Sequence, residues 1–163
     1  MYSEYGKVVV GYQGIGKTTY AASHHMAIDL ESSNFKNDRT HYEDWHIIYC
    51  RMAISLAKQG YIVFVSSHDE VVKELTRYDI KNDNECKIVI ITPCYRLEKE
   101  WVERLKQRWN NTKKKKDYIA YKDAEENFHT EIYLLALQYD FMYIPIKTMD
   151  YDLNKIIEGL SVM

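Results

Sequence analysis

Gly11-Tyr12-Gln13-Gly14-Ile15-Gly16-Lys17-Thr18 has the residue types and spacing to hold phosphate. The stretch matches G-x-x-x-x-G-K-[ST] with nothing missing. Its glycines let the backbone curl so that successive N–H groups point at phosphate oxygens, and let the chain approach them closely. A helix starting directly after the loop would face the phosphates with the positive end of its dipole. Lys17 is placed to reach the β- and γ-phosphates, and the Thr18 hydroxyl to ligate Mg2+. The expected ligand is ATP or another triphosphate with Mg2+, held by Gly11, Gln13, Gly14, Ile15, Gly16, Lys17, Thr18 and Thr19.

Such a loop needs a strand running into it and a helix running out. Lys7-Val8-Val9-Val10 is the strand, short and β-branched, and residues 17–27 read as the helix. Ala27-Ile28-Asp29-Leu30 reads as a second strand, followed by polar residues 32–43 without clear periodicity. A helix is expected over 44–58, stopped by Gln59-Gly60. Tyr61-Ile62-Val63-Phe64-Val65 is the clearest strand, and a helix over about 69–78 follows it. Another strand is expected at 87–91, a charged helix at 97–109, a loop at 110–116 and a helix at 123–139. A last strand at 141–144 and a last helix at 152–160 close the series. Strands alternating with helices imply a parallel sheet of about five strands in a three-layer α/β/α sandwich.

The chain has 163 residues, of which 46% are hydrophobic and 28% charged, enough for one domain with a real core. Lys and Arg number 22 against 24 Asp and Glu, a net charge of -2 that gives no sign of a dedicated nucleic-acid binder. Three widely spaced cysteines, Cys50, Cys86 and Cys94, read as reduced thiols of a cytoplasmic protein. No apolar run approaches a membrane span, and Met1–Tyr5 lacks the features of a signal peptide. The oligomeric state is not legible.

With its intact phosphate loop, short length and second strand directly after the loop helix, the chain resembles the nucleoside monophosphate kinase group of P-loop proteins. The compact shikimate- and gluconate-kinase-like members look most similar. That resemblance implies the P-loop NTPase fold over residues 1–163, with a lid segment at 93–123. It implies a carboxylate pair at the end of the second strand, near magnesium and substrate. Asp29-Leu30-Glu31 stands there, which makes Asp29 a candidate for metal and acceptor and Glu31 for the acceptor. It also implies lid arginines. Arg104 and Arg108 lie four apart on one helix face and are candidates to clamp the transferring phosphate beside Lys17. Their neighbours Glu98, Glu100, Glu103 and Lys106 fit a solvated, salt-bridged face equally well.

Arg51 and His68 are the remaining candidates on the acceptor side, His68 because it follows the third strand at the edge where ligands bind. Ser67 is expected to cap the next helix rather than act chemically. Trp45 and Tyr49, one turn apart, suit either base stacking or the core, and Lys113–Lys116 either a solvated loop or a phosphate-attracting lid tip. Two function classes follow. One is an ATP-dependent kinase of a small acceptor, foremost a (deoxy)nucleoside monophosphate, with a non-nucleotide metabolite kept open. The other is a P-loop ATPase or nucleotide switch acting on a protein partner. The ends of the third and fourth strands, Ser66-Ser67-His68 and Thr92-Pro93, lack the Asp or Asp-Glu expected of the second class.

Overall fold

The computed structural model describes residues 6–36, 43–81, 86–138 and 140–160. Five strands form one parallel sheet: β1 (Lys7–Gly11), β2 (Ala27–Asp29), β3 (Ile62–Val65), β4 (Lys87–Pro93) and β5 (Met142–Ile146). Their spatial order is β2-β3-β1-β4-β5, so the strand that feeds the glycine loop is central. Val9 of β1 lies opposite Phe64 on one side and Val89 on the other. All three are buried, as strands covered on both faces require. Pro145 falls in β5, at the sheet edge, where a missing N–H is tolerated.

The helices are α1 (Lys17–Ser23), α2 (Ser33–Lys36), α3 (Trp45–Lys58), α4 (Asp69–Lys81), α5 (Glu98–Thr112), α6 (Lys115–Ala136) and α7 (Leu153–Leu160). A short 3-10 turn, Tyr95–Leu97, leads into α5. The arrangement is α/β and compatible with three layers. In α3, Tyr49, Cys50, Ala53, Ile54 and Ala57 are buried, one stripe at helical spacing facing the core. Tyr49 is thus a core residue, its hydroxyl donating to Leu30 O at 2.7 Å and accepting from Ser66 N at 2.9 Å. α4 begins at Asp69, which puts His68 rather than Ser67 next to its first turn.

The sequence reading placed a loop at 110–116 and began the next helix at 123, and the structure corrects both. α5 runs to Thr112, the turn is only Lys113 and Lys114, and α6 starts at Lys115. Lys113 takes a left-handed conformation (φ 57°) and its N–H closes α5 on Trp109 O at 2.7 Å. The lysine run hides an aromatic contact, for Trp109 packs against Tyr118 and Tyr121 at ring distances of 4.8 and 5.9 Å. Thr112 donates to Asp117 across the turn, and Asp117 is buried. Nor is the expected lid segment 93–123 thinly anchored at its base. Trp101 and Leu105, four apart on α5, are wholly buried against the glycine loop. The expected polar stretch 32–43 is α2 in part, and residues 37–42, like Met1–Tyr5, lie outside the described residues. Among the described residues no helix is long and apolar enough to cross a membrane.

Candidate functional site

Because all strands are parallel, Gly11, Asp29 and Val65 end at the same edge of the sheet, where the strand order reverses about β1. Crevices at such an edge are the usual ligand sites of open α/β sheets. The glycine loop fills the position after β1. Gly14 and Gly16 have φ of +89° and +107°, a region that L side chains adopt only with strain. Two α6 carboxyl groups reach the loop's variable side chains. Gln13 Nε2 donates to Asp123 Oδ2 at 2.9 Å, and the Tyr12 hydroxyl donates to Glu131 Oε1 at 3.3 Å. Burial, with Asp123 beside it, pushes the Glu131 carboxyl up to about 8. Burial likewise raises the Tyr12 phenol.

Lys17, the first residue of α1, is half-buried and donates from Nζ to Gly11 O at 2.9 Å. Loss of water lowers its pKa, while Asp29 and Glu31 act to raise it. Arg108 adds a smaller lowering, so its charge is felt at Lys17. Thr18 Oγ1 donates to Asp29 Oδ2 at 2.7 Å. The hydroxyl and the carboxylate expected at a metal are therefore together. A hard divalent cation suits this pair if phosphate oxygens and water complete its shell.

A cavity of about 440 Å³ opens above the loop, lined by Gly14, Gly16, Lys17, Thr18 and Thr19 from below. Arg104, Arg108, Lys114, Lys116 and Asp117 line it from α5, α6 and the turn between them. Cations thus surround a space whose one carboxylate, Asp117, is already bonded to Arg108 Nε at 3.2 Å. Such a lining is matched to a polyanion. Lys114 and Lys116, in the run read as loop or lid tip, are part of it. A second cavity of about 450 Å³ shares Gly16, Thr19, Arg104 and Tyr151 with the first, and extends over Tyr20, His24, Leu153 and Asn154.

Arg104 is held in place rather than free. Its Nη1 donates to Gly14 O at 3.3 Å and to the Tyr151 hydroxyl at 2.9 Å, and its Nη2 to Met149 O at 3.5 Å. Its guanidinium lies over the rings of Trp101 and Tyr151, 4.5 and 5.4 Å from their centroids. His68 sits beyond β3, accepting at Nε2 from Lys36 Nζ at 2.8 Å. Desolvation first and Lys36 second lower its pKa, and Lys17 and Asp123 also act on it. His68 follows β3 and so stands beyond the same carboxyl edge of the sheet as the glycine loop. Trp45 packs edge-on to His68 at 6.2 Å and under Lys36 at 4.9 Å. Arg51 is exposed on α3 and lines neither cavity.

The structure thus gathers Lys17, Thr18, Thr19, Asp29, Arg104 and Arg108 at one crevice, with Glu31 and His68 beside it. Sequence reasoning passed over Trp101, Tyr151, Asp117, Asp123 and Glu131. No motif marks them, because each acts across a fold contact rather than a short spacing. No protein-family model matches the chain, and a search of curated proteins returns no relative.

Proposed function

We propose that this protein is a P-loop phosphotransferase that binds ATP with Mg2+ and passes the γ-phosphoryl group to a small acceptor. One observation carries the reading. The intact glycine loop, the Thr18–Asp29 pair and the cations Lys17, Arg104, Arg108, Lys114 and Lys116 converge on one cavity. The strand order and central glycine loop support a P-loop NTPase fold.

Mg2+ bound beside Thr18 and Asp29 would supply charge neutralisation between the β- and γ-phosphates. The residues of the chain do the rest. Loop amides and Lys17 bind and orient the triphosphate, while Arg108, Lys114 and Lys116 offset charge developing on the transferring group. The second cavity, which shares Arg104 and Tyr151 with the first, would take the nucleoside end. The acceptor side is the stretch from Glu31 and Lys36 to His68, and a nucleoside monophosphate is the leading acceptor. Catalysis would be positioning plus electrostatic stabilisation, without a covalent intermediate.

The test is calorimetry with ATP and Mg2+, followed by turnover on a panel of nucleotide and hydroxyl acceptors. Lys17→Ala is expected to abolish binding. Equal ATP affinity in the wild type and Lys17→Ala would sink the proposal.

A further inference from the structure

The backbone carbonyls of the glycine loop are held by side chains from distant parts of the chain. Three consecutive carbonyls each accept a hydrogen bond from a distant side chain. Trp101 Nε1 donates to Gln13 O at 2.8 Å, Arg104 Nη1 to Gly14 O at 3.3 Å, and the Tyr151 hydroxyl to Ile15 O at 2.7 Å. The donors are themselves joined, by the Arg104–Tyr151 bond at 2.9 Å and by stacked Trp101 and Tyr151 rings 5.9 Å apart. They come from α5 and from the connection between β5 and α7.

The described peptide bonds are trans. In a trans peptide unit the carbonyl oxygen and the following N–H point in opposite directions. Fixing the carbonyls of Gln13, Gly14 and Ile15 on these donors therefore turns the amides of Gly14, Ile15 and Gly16 away from them. Ile15 N–H closes a turn on Tyr12 O at 3.3 Å, which leaves Gly14 and Gly16 to face a ligand. Glycine gives its own peptide planes little preference between the two orientations. The bond from Ile15 N–H to Tyr12 O fixes one of these planes, and donors outside the loop can fix the others.

We infer that Trp101, Arg104 and Tyr151 are positioning residues, a clamp that holds the loop's peptide units in the phosphate-binding orientation before the ligand arrives. The inference rests on the reading of the loop as a triphosphate site. It also gives Arg104 a role distinct from contact with the transferring phosphoryl group. A loop that is competent only part of the time binds more weakly in proportion to that fraction. One clamp bond is expected to shift the ratio of competent to other loop states by roughly two- to twelvefold, the range of a net hydrogen bond.

Tyr151→Phe tests this, because it removes one hydroxyl and keeps the ring. The probe is inorganic tripolyphosphate, which has no base, titrated by calorimetry beside ATP. Tripolyphosphate and ATP are expected to weaken by the same factor, at most about twelvefold. Amide exchange at Gly14 and Gly16 in the ligand-free protein should also change. Arg104→Lys, which retains a donor for Gly14 O, should lose less affinity than Arg104→Ala. Unchanged tripolyphosphate affinity in Tyr151→Phe, with or without a lower melting temperature, would overturn the clamp and leave Tyr151 a structural residue. Weakening of ATP alone would place Tyr151 at the nucleoside end and overturn it too. A wild-type protein that binds neither probe would remove the phosphate reading itself, and the clamp with it.

Discussion

Gly14→Ala should destabilise the protein more than Gly16→Ala, and the structure gives the size of the difference. Both positions have a positive φ, +89° and +107°. Holding a side-chain-bearing residue there costs about 1–3 kcal/mol. The surroundings differ. A Cβ on Gly14 would lie 3.0 Å from Leu105 Cδ2 and 3.1 Å from Trp101 Nε1. Both neighbours are fully buried and would have to give by a few tenths of an ångström within a packed core, an overpacking of about 1–3 kcal/mol. A Cβ on Gly16 meets only Leu153 Cδ2 at 3.6 Å, an ordinary contact. The two variants share a positive φ, and their difference reports chiefly the packing. For a chain of this size, 1 kcal/mol moves Tm by about 2–4 °C, so Gly14→Ala should melt about 2–12 °C below Gly16→Ala. Thermal melts followed by circular dichroism measure this directly. Equal melting temperatures would mean that Trp101 and Leu105 do not press on the loop, and the account of α5 as its brace would be wrong.

Asp29→Asn is expected to weaken magnesium-dependent ATP binding while leaving binding without magnesium close to the wild type. Titrations with and without the metal separate the two, and equal losses in both would remove Asp29 from the metal site. Arg108→Ala should lower turnover by roughly 10²-fold or more with a smaller change in ATP affinity, since its contact strengthens as charge develops. Full activity would return Arg108 to an ordinary ion pair with Asp117. Glu131→Gln tests the carboxyl group against Tyr12. With its pKa raised from 4.5 to about 8 on folding, Glu131 binds a proton more tightly in the native state. Its contribution is complete below about 4.5 and is lost as pH rises through about 8. Melting temperatures of the wild type should therefore fall relative to Glu131→Gln across that window. Parallel curves would show that Glu131 ionises as an ordinary carboxyl group.

What the sequence made legible was local. The loop and its strand are encoded within residues 7–18, and β3 and β4 show as apolar runs, so the central sheet and the Lys17–Thr18 pair could be read directly. The helix expected to residue 27 ends at Ser23, and Asp29 was legible only through the family resemblance. The α5–α6 junction could not. Its lysines look like solvent-exposed loop, and the order comes from Trp109, Tyr118, Tyr121 and buried Asp117, whose contacts become visible only once the helices are paired. Arg104 was legible as a residue facing the site. Its partners Trp101 and Tyr151 were not, since an indole N–H or a phenol carries no spacing signal.

The separation in sequence between the loop and its donors also sets an order of assembly. The Ile15 carbonyl and the Tyr151 hydroxyl are 136 residues apart, and Gln13 and Trp101 are 88 apart. As the chain is synthesised, the glycine motif emerges well before the residues that bond its carbonyls. Its outer carbonyls have no donors until α5 has packed, and the last waits for the chain beyond β5. Contacts this distant bear the full loop-closure entropy and form late. The most recognisable stretch of the protein is therefore expected to be among the last to acquire its native shape. A nascent chain that stops short of Tyr151 would carry the motif in full without the geometry that gives it meaning.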